Sequence, residues 1–421
     1  MARTIAQLTA ATPGLYTASM SPLPSTPLYL AIVVHDLSAT GVVRNAIRIA
    51  GHMANHGYRT ELWVIRDSGA FRAQVPPAVT IRMIGARKIK TVRRIETLLA
   101  VKTIARLIAL DRPQVVLSAG NHFHLACSQA YSRAGCPPDT QFMGRASNAT
   151  PRLGRKIPGI AWLADTIDAL KYRNMHKVIA VSHELAADLN QRLGIAEDRI
   201  AVISNGVDLA TIARLAAEPL DDPWFAATAP PVIISAGRIS RQKNYALLLE
   251  AFARLRQKRP VRLVILGQGS DNAVSALQRQ AKTLDVADDL RLHGFEANPM
   301  RFFGHAGVFV LSSLWEGASN ALLEAMACGC PVVATDCPTG VREQLDNGRI
   351  GPIVPLGDPE ALARAIDLRL DQPRAADALK AHAATFDHGT MLAAYERLFR
   401  GETSGGRGSA ASSMESSSQE I

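Results

Sequence analysis

Short runs of consecutive apolar and β-branched residues alternate along the chain with longer stretches in which apolar positions recur every three or four residues. LYLAIVV (28–34), TELWVI (60–65), PQVVLSA (113–119) and KVIAVS (177–182) read as strands buried on both faces, and the first and last are followed by helical patterns over about 43–56 and in ELAADLNQRLG (184–194). After a hinge-like stretch over about 206–230 the alternation restarts: PVIISAG, the helix YALLLEAFARLRQ, VRLVILG, a helix over about 273–284, LRLHG, GVFVLSS and PVVAT. This is a βαβα reading carried out twice. It predicts an α/β chain with two Rossmann-like parallel-sheet domains in series, over 28–205 and 206–388. A last helix over 389–400 follows the second domain. The pattern leaves its docking place open, a return to the first domain among the options. Residues 1–27 and 401–421 are rich in small and polar residues and read as solvated tails.

A chain of 421 residues with 48% hydrophobic content is long enough for two cores. Its charge is uneven. Residues 28–205 hold 24 Lys and Arg against 12 Asp and Glu, whereas 206–421 hold 22 against 25. An anionic substrate or surface facing the first half is implied. The five cysteines are odd in number and lack paired CxxC spacing, which argues against a disulfide framework or a cysteine zinc site and fits a reducing cytoplasm. No run reaches the ~18 apolar residues of a spanning helix, and no signal-peptide pattern opens the chain.

Candidate chemistry gathers in the second half. In SLWEGASNALLEAMACGCPVV (313–333) the residues Gly317, Ala318 and Ser319 form a turn between a strand and a helix starting at Asn320, whose first N–H groups suit an anion or sugar hydroxyls. Glu324 lies one turn on, beside small residues, where a carboxylate can accept hydrogen bonds from a vicinal diol. In IISAGRISRQKN, Arg238 and Lys243 follow a strand at the place where phosphates bind in open α/β sheets. LGQG (266–269) offers Gly267 without the remaining glycines of a dinucleotide fingerprint, and there is no GxxxxGK[ST] and no DxD pair. No metal site is expected.

The set GRxxxxK, LGQG, EGxxxxxLEAMAxGxPVVAT, KVIAVSHELAADL and AVISNGVD resembles the retaining glycosyltransferases of the GT-B type, family 4, over about 28–400. The resemblance implies a nucleoside diphosphate sugar as donor, with Glu324 on the ribose, Glu316 by the donor sugar, and Arg238 and Lys243 on the diphosphate. The backbone of Ala318, Ser319, Asn320 and Ala321 would meet the sugar and phosphate, and Phe295 in LHGF would lie along the base. Gly41 in SATGVV stands where relatives carry a glycine pair, and Ser319 where many carry Pro or Phe. From SAGNHFH the resemblance favours His122 over His124 near the reacting carbon. GRASN (144–148) is similar to an acceptor-side loop, with Arg145 as its candidate. Metal-independent hexosyl transfer to a glycan or lipid-linked acceptor is implied.

The basic excess concentrates in 86–110, where Ile89, Val92, Leu99, Ile104 and Leu107 recur at helical spacing beside Arg87, Lys88, Lys90, Arg93 and Arg94. With 151–156 and 171–177 this forms either a face for anionic lipid, making the chain peripheral on the membrane, or an ordinary helix with a solvated basic edge. Nucleic acid ranks below both, since aromatic content is 5% and no binding motif is present. A nucleotide-sugar epimerase or hydrolase and a non-catalytic membrane-associated binder remain as alternatives.

Overall fold

The computed structural model describes residues 27–85, 93–149, 158–372 and 374–402. The tails and the basic segment Arg87, Lys88 and Lys90 lie outside the described residues, as does 151–156.

Seven parallel strands build the first sheet: β1 (Tyr29–Val34), β2 (Arg59–Val64), β3 (Thr80–Met83), β4 (Val115–Ser118), β5 (Gln141–Ala146), β6 (Lys177–Ala180) and β7 (Ile200–Val202), in the order β3-β2-β1-β4-β5-β6-β7. Six build the second: β8 (Val232–Ala236), β9 (Arg262–Leu266), β10 (Leu290–Gly294), β11 (Val308–Leu311), β12 (Val332–Thr335) and β13 (Ile353–Val354), in the order β10-β9-β8-β11-β12-β13. The helices connecting the first sheet are α1 (Gly41–Asn55), α2 (Arg93–Asp111), α3 (His124–Arg133), α4 (Pro158–Leu170) and α5 (His183–Leu193). Those of the second half are α6 (Leu209–Ala216), α7 (Tyr245–Arg256), α8 (Asp271–Thr283), α9 (Pro299–His305), α10 (Asn320–Ala327), α11 (Val341–Gln344), α12 (Pro359–Asp371), α13 (Ala376–Ala384) and α14 (His388–Phe399).

All six residues of β1 are buried, as expected for a strand covered on both faces. One face of the first sheet is covered by α2, α3 and α5, the other by α1 and α14. The last helix therefore returns to the first sheet. Met391, Leu392, Tyr395 and Phe399 enter its core, each such burial contributing about 1.5–3 kcal/mol. The crossing is pinned where Val207 and His388 exchange backbone bonds with the facing segment: Val207 N–H to Phe386 O at 2.8 Å and His388 N–H to Val207 O at 3.1 Å.

Two sequence expectations change here. The stretch 206–230 carries α6 and a short 3₁₀ turn over Pro223–Phe225. Gly144–Ala146, read as part of a loop, belongs to β5, between β4 and β6.

In each sheet the strand order reverses once, between β1 and β4 and between β8 and β11. Ligands of open α/β sheets bind beyond the carboxyl ends of the strands at such switch points. Gly41 and His122 follow β1 and β4. Arg238, Lys243 and Glu316 follow β8 and β11.

Candidate active site

At the end of β8 the chain passes through Gly237 with φ 149°, a conformation that L side chains rarely adopt. A Cβ there would stand 2.6 Å from Lys243 Cε, so the glycine lets the lysine chain lie across the strand end. Lys243 Nζ donates to Glu316 Oε1 at 2.7 Å, and the same oxygen accepts from Ser313 Oγ at 2.7 Å. Glu316 is buried, and its carbonyl accepts from the Thr339 hydroxyl. The Glu316 carboxylate thus holds the ammonium at the switch point. Arg238 shares this strand end and is exposed. Gly267 ends β9 with φ 155°, and a Cβ on it would meet the Gly237 carbonyl at 1.9 Å; its N–H donates to Gly294 O at 2.6 Å. Adjacent strand ends close together with no side chain between them, and Phe295, 39% exposed, follows the third.

Helix α10 opens the second wall. Ser319 is its N-cap, with Oγ accepting from Leu322 N–H at 3.4 Å. The Ser319 N–H donates to Gln344 Oε1 at 2.9 Å, and Gln344 Nε2 donates back to Ser319 O at 3.1 Å. This corrects the expectation that the Ser319 amide meets a ligand: it is committed to Gln344. The Ala318 carbonyl is committed as well, accepting from Asn205 Nδ2 at 3.1 Å. The N–H groups of Asn320 and Ala321, the first two of the helix, have no acceptor within the helix and suit an anion. Gly317 is required by contact, since a Cβ would lie 2.2 Å from Ser147 O, where Gly317 pairs with Asn148.

The first half faces this helix directly. Gly41 starts α1, and a Cβ on it would sit 2.7 Å from Asn320 Nδ2. Two helix N-termini therefore meet at one place, with α1 capped by Thr40 Oγ1 accepting from Val43 N–H at 3.3 Å. Glu324, far from being a solvated helix carboxylate, is 4% exposed and forms an ion pair with Arg44 of α1. Arg48, one turn further, points Nη1 at Gly206 O at 3.5 Å; burial lowers its pKa, and Glu324 opposes that shift. Two more contacts join the halves: Gly340 N–H to Glu184 Oε2 at 2.7 Å and His183 N–H to Glu343 Oε2 at 2.8 Å.

The two histidines of SAGNHFH separate cleanly. His122 is exposed at the switch point, its ring edge-on to Phe123 at 5.1 Å and 6.5 Å from His35. His124 is fully buried with Nδ1 2.8 Å from Ser118 Oγ, and desolvation, then the nearby His122, lower its pKa to about 3. It is a neutral core residue. Arg145 is corrected by its place in β5. It is 3% exposed, with Nε donating to Tyr395 Oη at 3.1 Å and Nη2 to Asn205 Oδ1 at 2.5 Å, and so ties α14 to the turn before α6 rather than facing an acceptor.

Sequence reasoning missed Arg44, Asn205 and Gln344. The signal for Arg44 was a four-residue periodicity on α1, shared by Arg44, Arg48, His52 and His56. Nothing local marks the other two.

Comparison with known proteins gives matches over both halves. Residues 39–211 match the profile described as Glycosyltransferase Family 4, and residues 218–386 that of Glycosyl transferases group 1. The chain is 31% identical over 219 residues to the N-acetylgalactosamine-N,N'-diacetylbacillosaminyl-diphospho-undecaprenol 4-alpha-N-acetylgalactosaminyltransferase of Campylobacter jejuni, covering 52% of this chain and 57% of that protein. It is 28% identical over 358 residues to the lipopolysaccharide core biosynthesis glycosyltransferase LpsE of Rhizobium meliloti, covering 85% of this chain and 92% of that one. Among solved structures, Anabaena HepE in complex with UDP and glucose superposes with a TM-score of 0.71 at 18% identity, over 89% of this chain and 100% of that chain.

Proposed function

We infer, for a chain that belongs to the glycosyltransferases of the two-domain GT-B type, that it moves a sugar from a nucleoside diphosphate donor to a glycan or lipid-linked acceptor in cell-surface polysaccharide or lipopolysaccharide synthesis. The observation that carries this reading is the convergence of Arg238, Lys243 and the α10 N-terminus at one switch point, opposite Gly41 and His122 at the other.

In the proposed reaction the bond from the anomeric carbon to the diphosphate oxygen breaks. The bond to the acceptor oxygen forms on the face being vacated, so configuration is retained, and the acceptor's proton passes to the departing phosphate oxygen. Arg238, Lys243 and the Asn320 and Ala321 N–H groups take up the charge on the leaving diphosphate without a metal. Glu316 fixes Lys243 for that role. Glu324 takes the ribose hydroxyls, Phe295 borders the base, Gly41 and Gly267 give the backbone room, and His122 stands by the reacting carbon. Because Glu324 is paired with Arg44, donor entry exchanges this ion pair for hydroxyl donors.

A membrane-borne acceptor is supported by exposed apolar side chains on one face of the first sheet. Ile104 and Leu107 of α2 are buried, but Leu99 is exposed together with Ile95 and Leu98. No helix among the described residues is long and apolar enough to cross a membrane.

Nucleoside diphosphate release from UDP-, GDP- and ADP-sugars, with a lipid-linked acceptor in neutral or anionic vesicles, tests these points together. Acceptor-dependent release from one donor class is expected, with tighter binding to anionic vesicles at low salt. Release independent of acceptor indicates a hydrolase, interconverted donor an epimerase, and no turnover a binding protein. Equal binding to both vesicle types removes the membrane face.

A further inference from the structure

Away from the cleft, α1 and α14 bring together a donor set that the glycosyl-transfer reading does not use. His52 near the end of α1 and its C-cap residue His56 are four residues apart, with ring centroids 4.1 Å apart, and Glu396 projects from α14. One ligand atom from each lies within 4.8 Å of the other two. Glu396 Oε1 accepts from Tyr58 Oη at 3.1 Å and from Arg400 Nη2 at 2.7 Å, leaving Oε2 toward His52 Nε2 at 3.3 Å. His56 Nδ1 lies 2.8 Å from the His52 carbonyl, so when Nδ1 donates there the free lone pair of the ring is on Nε2.

We propose that His52, His56 and Glu396 form a binding site for a divalent transition-metal ion, zinc by the chemistry of its donors, that fastens the returning helix α14 to α1. Two imidazoles and one carboxylate suit zinc, nickel or copper and not magnesium or calcium. A four-coordinate zinc with bonds of about 2.1 Å spaces its donors about 3.4 Å apart, so binding would draw together the three donors, which lie within 4.8 Å of one another, with the exposed His56 side chain turning inward and water as fourth ligand. Tyr58 and Arg400 orient the carboxylate as outer partners of a metal site do. The site is remote from the reacting atoms in role. It would stiffen the crossing at Val207 and His388, where the chain passes back to the first sheet.

The test uses the full chain, stripped with a chelator and titrated with zinc against a chromophoric competitor while the thermal midpoint is followed. One equivalent should bind and raise the midpoint. His56→Gln, at an exposed position, should weaken binding by at least about tenfold and cancel the rise, because loss of a direct ligand costs no less than loss of an outer partner. His305→Gln, at an exposed histidine on α9, should do neither. No uptake, or uptake and midpoint unchanged by His56→Gln, overturns the proposal.

Discussion

Ser319 illustrates how a residue near a site serves the protein and not the ligand. Its hydroxyl caps α10 and its amide and carbonyl are both paired with Gln344, so its identity sets the shape of the turn that presents Asn320 and Ala321. His124 makes a measurable statement of the same kind. Its pKa is about 3 in the fold against 6.5 for an ordinary histidine. Between those values the unfolded chain takes up a proton that the folded chain refuses. Its contribution to stability is therefore complete above pH 6.5 and is lost as pH falls, by up to about 1.4 kcal/mol per unit. Denaturant midpoints measured from pH 7 to 5 should fall in the wild type and fall less steeply in His124→Gln; parallel curves would mean that His124 is not the group responsible.

At the scale of elements, α1 organises the molecule. Its stripe of Arg44, Arg48, His52 and His56 meets Glu324 of α10, the Gly206 carbonyl and Glu396 of α14 in succession. The elements that were legible in the sequence are those whose environment is uniform. β1, β8, β9 and β11 are apolar runs because both faces are covered, and α7 shows its period because one side packs on a sheet. β5 was not legible, because Gly144 and Arg145 interrupt the apolar run. The arginine is buried only because Asn205 and Tyr395, 60 and 250 residues away, satisfy it. The candidate site divides likewise. Glu316, Arg238, Lys243 and the α10 start were readable from spacing within one βα unit. The partners that decide their state come from afar: Arg44 is 280 residues from Glu324.

For the whole molecule the consequence is a closed arrangement held by a few polar links: the Arg44–Glu324 pair, the Glu184 and Glu343 contacts and the Asn205 bond to Ala318. Breaking the first leaves a buried carboxylate without its cation, which is strongly unfavourable unless the halves separate and admit water. Arg44→Ala should therefore enlarge the radius of gyration in small-angle scattering without donor, and donor should restore the compact value; an unchanged radius would remove Arg44 from the interdomain closure. The uneven charge is a property of the whole molecule, with 24 Lys and Arg against 12 Asp and Glu over 28–205 and 22 against 25 over 206–421.

The central claim is that the cleft between the two switch points transfers a sugar with Arg238 at the leaving diphosphate and Glu324 on the donor ribose. Single turnover of a labelled nucleotide sugar with a lipid-linked acceptor tests it most directly, comparing wild type with Arg238→Ala and Glu324→Ala. Label should appear in the acceptor together with one nucleoside diphosphate. Arg238→Ala should slow that step, and Glu324→Ala weaken donor binding, each by about 10²-fold or more. Label that stays as free sugar, or transfer at wild-type rate and affinity in both variants, would contradict it.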